Sequence, residues 1–461
     1  MKEVGRAITG QYGQNDLISK IVVALQNAGK NIDALTTDDI APFDEFHFGG
    51  RDHCLHMRRR ANFDIAGLLI LCVFFTGCEN TTSPQIDAVQ SATNRSARYL
   101  AKNTKEDGMF EYRINMDPTI EVKERYNVLR HAGTIYAMSM YYQLQPDDNM
   151  RSAIERAGRY LRDESIHPIS GKDNMLAVWS EPDVNRSGKP LQAKLGGTGL
   201  GLVALLSLEN IHPGFTPLSD LQALGQFIVY MQKEDGSFYS KYIPSMGGRW
   251  DKWQSLYYPG EAALGLLMLY EKDASDVWIE PAAKALAYMA RSRENRTNIP
   301  ADHWALLATE KMLSLENNDK LPVSRELLIN HAIQICDTIL QSQTENPERP
   351  EYDGGFSEDG RTTPTATRLE GLQAALSFLP PDHEIRKRID SAVPRGISFL
   401  LRAQISEGEF IGAFPRAVDK MDHDIPNADK FNRRATEVRI DYVQHALSAM
   451  IQYLHLMNDK K

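Results

Sequence analysis

Acids, bases and aromatic residues recur in this chain at one kind of place, the opening turns of apolar segments rich in alanine and glycine. They are Tyr126, Arg130 and His131; Lys194; Tyr258 and Glu261; Asp302, His303 and Trp304; Arg368 and Glu370; and Arg439, Asp441 and His445. Glu261, Asp302, Glu370 and Asp441 supply the carboxylates that a glycoside-cleaving acid/base pair needs. His131, His303 and His445 could instead pass protons, as uronate lyases and epimerases require. Tyr126 and Tyr258 could assist either chemistry. Trp250, Trp253 and Trp304, with Tyr257 and Tyr258, could stack on sugar rings or line an apolar pocket. The expected substrate contacts are Tyr126, Arg130, Trp253, Tyr258, His303, Trp304, Arg368 and Arg439. Asp302 and Asp441 also stand where helix N-caps are common.

Two kinds of segment alternate to position these residues. One kind is amphipathic, with apolar residues at i, i+3 and i+4 and a charged opposite face: residues 96–103, 153–164, 221–232, 282–293, 331–343 and 396–404. The other follows each of these and is apolar on nearly all sides: residues 130–142, 196–208, 259–271, 301–312, 366–379 and 441–454. A helix apolar all round is buried all round, and glycine and alanine let such helices approach closely. Six pairs therefore predict an inner ring of helices inside an outer ring. The links at 105–114, 233–242, 352–360 and 406–414 carry Asp-Gly, Gly-Gly or Glu-Gly beside an aromatic residue, the mark of tight turns. In such a ring the N-terminal ends of the inner helices surround one mouth of a cavity, and their dipoles favour anionic groups there.

The turns from Gln232 to Phe238 (QKEDGSF) and from Asp353 to Phe356 (DGGF) resemble those of α/α-toroid proteins. That group includes the squalene-cyclase and protein-prenyltransferase β-subunit repeats and the six-hairpin glycan-active enzymes. The resemblance spans residues 90–457 and implies an all-α (α/α)6 toroid with a central site for a small molecule or glycan. A terpenoid cyclase is disfavoured, because the run Asp419 to Asp424 (DKMDHD) lacks an Asp-x-Asp-Asp acid motif. The prenyltransferase zinc set is incomplete: His445 has no accompanying Asp-x-Cys, and Cys336 lies inside a helical run, where it reads as a buried small hydrophobe. No metal and no cofactor are expected. The glycines of LGGTGLG (195–201) follow no strand pattern and are expected to serve close helix packing rather than a nucleotide.

Upstream lies a different composition. Met57 to Cys78 (MRRRANFDIAGLLILCVFFTGC) runs from arginines through a short apolar stretch to small residues, the order of an export signal. Its end, Phe75-Thr76-Gly77-Cys78, resembles a bacterial lipobox, which implies acylation of Cys78 and a membrane partner through that lipid. Residues 79–90 then read as a polar tether and 91–461 as the toroid. Glu79 in place of an aspartate suggests the outer membrane of a bacterial envelope. Residues 13–53 resemble the opening of a class I S-adenosylmethionine methyltransferase, but no Gly-x-Gly turn follows, so no such activity is carried over. Residues 1–56 read as a remnant of such a protein or as sequence before a true start at Met57, and His47, His53 and His56 within them are not expected to bind metal. The net charge of −9 with interspersed signs argues against nucleic acid as a partner. The expected function is acid/base chemistry on a carbohydrate or similar polar envelope substrate. The alternatives are a glycan-, peptide- or protein-binding toroid without catalysis, and a terpenoid-processing toroid.

Overall fold

A computed structural model describes residues 84–315, 321–346 and 348–459. The expectations for residues 1–83, including the export segment, Cys78 and the methyltransferase-like stretch, lie outside these residues. Helix already begins at Ile86, inside the stretch read as tether.

The first three helix pairs are α1 (Ile86–Lys102) with α2 (Val128–Leu144), α3 (Asp148–Arg159) with α4 (Leu195–Glu209), and α5 (Leu218–Tyr230) with α6 (Tyr258–Asp273). The last three are α7 (Asp276–Arg293) with α8 (His303–Ser314), α9 (Arg325–Gln341) with α10 (Thr362–Leu376), and α11 (Glu384–Ala403) with α12 (Ile440–Asp459). Even-numbered helices pack side by side in order, and α12 packs back on α2, closing the inner ring. Odd-numbered helices lie outside them. The chemistry of each kind explains its layer. Along α3 the buried residues Met150, Ala153, Ile154, Ala157 and Gly158 form a single stripe. In α4 every residue is buried. All twelve segments read from the sequence overlap these helices; five lie wholly inside them and seven run one to five residues past an end.

The turns between paired helices dock on the next outer helix. Gly236 (φ 90°) and Gly354 (φ 76°) sit in the left-handed region, and a Cβ on either would collide with the backbone carbonyl of Lys284 or Arg395. The Gln232 amide donates to the Pro281 carbonyl at 2.8 Å, and Gln343 donates to Ala392 at 2.9 Å. Gln404 donates in the same way to the Ala92 carbonyl of α1 at 2.8 Å, joining the last pair to the first. The recurring Gln and Gly of the turns are thus the rivets of the outer ring.

The expectation of helices with hairpin-like turns alone needs a correction. Strands β1 (Arg113–Asn115) and β7 (Glu437–Arg439) pair antiparallel and tie the first pair's link to the last. Strands β2 (Ile166–Pro168), β3 (Leu176–Ser180), β4 (Gln192–Lys194), β5 (Lys241–Ile243) and β6 (Gly248–Trp250) form an antiparallel sheet in that order. It grows from the links before α4 and α6, at the end of the ring where those helices start. Among the described residues no helix is long and apolar enough to cross a membrane.

Candidate active site

The starts of the inner helices converge. His303 opens α8, and the side chain of Asp302 before it caps that helix by accepting from the Ala305 N–H at 3.2 Å. The other Asp302 oxygen accepts from Arg293 of α7 at 2.7 Å, and Arg293 also reaches His331 of α9 at 3.2 Å. Asp302, expected as a catalytic acid, is therefore turned outward and fully engaged. Its role is to fix the backbone from which His303 projects inward.

His303 is 2% exposed, and neither of its ring nitrogens has a hydrogen-bond partner among the described residues. Its ring stands 5.6 Å from that of His445 on α12, nearly perpendicular to it, and 5.1 Å from Tyr257 before α6. Helices α8 and α12 are not neighbours in the ring, so these two side chains meet across shared space. His445 Nδ1 lies 2.8 Å from a Glu370 oxygen of α10, and the same oxygen is 3.9 Å from His303 Nε2.

The two imidazoles are driven apart electrostatically. Burial, then the charges of His445 and Arg368, push His303 well below the usual histidine range, so it is neutral at pH 7. Burial acts on His445 in the same direction, but the Glu370 carboxylate, its hydrogen bond and Asp441 outweigh it and raise His445. One histidine is held neutral and the other is biased toward its protonated form.

Around them sit the other expected residues. Asp441, in the first turn of α12, is no cap. It pairs with Arg130 of α2 at 3.0 Å and with Arg439 at 2.9 Å. Burial opposes its charge, but the two guanidinium groups prevail and hold the carboxyl at about 2. Glu261, in the first turn of α6, is 3% exposed with one oxygen unpartnered, and burial followed by the charge of Asp302 pushes it up to about 8. Arg368 donates to the Pro364 carbonyl at 3.0 Å, while its Nε has no partner among the described residues. Trp304 is buried against His303 at 5.1 Å, and Tyr258 meets the half-exposed Trp253 edge-on at 5.8 Å. The LGGTGLG glycines serve packing as expected, since a Cβ on Gly199 would meet the Glu261 backbone at 2.8 Å, but strand β4 ends directly before them, contrary to the expectation that no strand precedes them.

His131 and Tyr126 do not join this group. The Tyr126 hydroxyl bonds His131 Nδ1 at 2.7 Å and accepts from the Phe110 N–H at 3.0 Å, while His131 Nε2 donates to the Ala157 carbonyl of α3 at 2.9 Å. Both are buried between α2 and the outer layer, and burial lowers His131 to about 4. Sequence reasoning also missed Lys241, which lay in a segment read as a turn. The run Lys241 to Trp250, with Gly247-Gly248 within it, carried a readable hairpin signal.

Atoms of His303, Glu370 and His445 lie within 4.8 Å of one another, a spacing open to a cation. The 2.8 Å contact between His445 and Glu370 is that of a shared proton, and the Arg368 charge felt by His303 opposes a further positive charge. The arrangement suits proton transfer to and from a bound molecule.

No protein-family model matches the sequence, and no curated protein does. Solved structures share the fold. A cellobiose 2-epimerase from Bacillus thermoamylovorans aligns with a TM-score of 0.59 at 12% identity, over 80% of this chain and 99% of that one. An unsaturated glucuronyl hydrolase specific for heparin aligns at 0.54 and 12% identity, over 81% and 98%. An α-1,6-mannanase from a Salegentibacter species aligns at 0.53 and 11% identity, over 80% and 99%. At these identities the likeness establishes the six-hairpin α/α toroid and nothing finer.

Proposed function

We propose that this chain is a carbohydrate-acting enzyme that moves protons on its substrate, interconverting sugar isomers or epimers. The observation that carries this reading is the pair His303 and His445, facing one another across the ring with opposite protonation preferences. In an open-chain sugar the neutral histidine takes the proton from the carbon beside the carbonyl. The electron pair moves onto the carbonyl oxygen, where the protonated histidine supplies a proton. Returning a proton to the other face of that carbon gives an epimer, and returning it to the neighbouring carbon gives an isomer. The step is redox-neutral overall and needs no cofactor.

The carboxylates favour this chemistry over hydrolysis. A hydrolase needs two available carboxyl groups flanking the scissile bond. Here Asp302 and Asp441 are locked in ion pairs and Glu370 is bonded to His445, which leaves Glu261 as the one unpaired carboxyl of the four. The names of solved toroids, which include cellobiose 2-epimerases and a D-mannose isomerase, support the same reading. We also infer, from the order of Met57–Cys78, a lipid-anchored place in a bacterial envelope, at the outer membrane.

The test is product analysis of the purified chain with glucose, mannose and cellobiose, read by chromatography. Epimer or isomer formation that disappears in His303→Ala and His445→Ala is the expected result. Glycosidic cleavage without isomerisation, or conversion that survives both substitutions, would refute the proposal.

A further inference from the structure

The sheet beside the mouth places two lysines where their charges oppose one another. Lys194 of β4 and Lys241 of β5 are direct partners in an antiparallel register. Such partners leave the same face of the sheet with Cβ atoms about 5 Å apart, and like charges so placed destabilise it. Neither lysine has a carboxylate partner among the described residues. The Lys241 ammonium instead lies over the rings of Trp253 at 4.4 Å and Trp250 at 5.2 Å. Lys194 is the N-cap of α4, and its ammonium, a donor with no lone pair, cannot bond the N–H groups at that end. Burial first, then Lys189, Arg130 and Lys241, lower Lys194 to about 8, the mark of a cation lacking its counter-charge.

A second observation points to the same spot. The unpartnered Glu261 oxygen, on a side chain 3% exposed, lies against Gly196 in the first turn of α4, where any Cβ would collide with it. A neutral carboxyl there can donate a hydrogen bond, and in the first turn of α4 the Leu195 N–H is taken by the Ser240 carbonyl at 3.1 Å while the Gly196 and Gly197 N–H groups have no helical carbonyl to bond. Lysines, helix N-terminus and carboxyl hydrogen all suit a negative charge that the protein does not itself provide.

We propose that Lys194 and Lys241, with the first turn of α4 and the Glu261 carboxyl beside them, hold an anionic group of the sugar, so that the substrate is an acidic carbohydrate. This deepens the carbohydrate reading and rests on it. The anion is a carboxylate, as in a uronate, or a phosphate ester. Trp253, half-exposed and covered by Lys241, gives the sugar ring bearing that group a face to stack on.

Calorimetric titration of the purified chain with D-glucuronate, D-glucose 6-phosphate and D-glucose tests this, with Lys194→Met and Lys241→Met alongside. One acidic sugar should bind at least about tenfold tighter than glucose, a charge-assisted margin, and the tighter of the two identifies the anion. The preference should fall toward parity in either variant. Lys241→Met guards against misfolding, because the Lys241 ammonium lies over the exposed Trp253 ring rather than in the core. Equal affinity for all three sugars, or a preference that survives both substitutions, would overturn the anion site. Conversion of neutral aldoses with no preference for acidic ones would do the same while leaving the isomerase reading intact. Absence of both binding and conversion would overturn both.

Discussion

Two buried histidines stand near the start of inner helices, and only one is free to act. His131 on α2 and His303 on α8 are both inaccessible, and burial lowers both below the ordinary histidine range. His131 has both nitrogens bonded, to Tyr126 and to the Ala157 carbonyl, so its tautomer is set and its lone pair used. His303 has both nitrogens unbonded and a second histidine in front of it. Burial without partners is expensive for a polar group, and a fold retains it where a ligand completes the bonds. The contrast separates a histidine that holds the ring together from one that the ring holds ready.

The largest effect should come from removing the free one. His303→Ala should lower turnover by about 10³-fold or more, within the usual range for a general base, with little loss of stability. His131→Ala should do the reverse. Losing two buried hydrogen bonds and leaving a cavity should cost about 2–4 kcal/mol in denaturant unfolding, with activity per folded molecule retained. Equal catalytic losses in the two variants would erase the distinction.

Glu261 gives the next effect, read against pH. Its folded value of about 8 exceeds the ordinary 4.5, so between those values the folded state keeps a proton that the unfolded state releases. Stability from this group is complete below pH 4.5 and is lost as pH rises through 8. Glu261→Gln removes the dependence and should be the more stable protein at pH 9 by roughly 3–5 kcal/mol. Parallel stability curves for parent and variant from pH 5 to about 9 would show that Glu261 is not a buried neutral acid.

Glu370→Gln should act through His445. Without the carboxylate the imidazolium loses its main support, so its protonated form should vanish at lower pH. The alkaline limb of the rate profile should move to lower pH, with kcat affected more than KM. A uniform loss at every pH would mark Glu370 as structural only. Smallest of all, Trp253→Ala should raise KM a few-fold and leave stability unchanged, since the ring is 44% exposed and makes a stacking face rather than core.

The ring was legible in the sequence because its layers differ in chemistry. All-round apolar segments such as LGGTGLGLVALLSL could only be inner helices, and one-sided segments such as AIERAGRYLRDE could only be outer ones. The glycine turns were legible because tight backbone turns demand that residue. Membership of the site was partly legible: His303, His445, Glu370 and Arg368 were singled out and stand together. Their partnerships were not, because helix spacing encodes which residues share a face and not which helices meet across a hollow. His131 illustrates the limit. It follows Arg130, which reaches Asp441 on α12, and one residue further along a helix is about 100° further round, here toward α3. The sheet escaped notice because its strands run only three to five residues each and interrupt a helical pattern.

On the proposed reading the two facing histidines exchange a carbon-bound proton of a sugar with solvent. The most direct measurement is proton NMR of sugars incubated in D2O with the parent chain, His303→Ala and His131→Ala. Deuterium should replace the proton on the carbon beside the carbonyl with the parent and with His131→Ala, and should not with His303→Ala. Exchange that continues in His303→Ala at the parent's rate would contradict the assignment of the base.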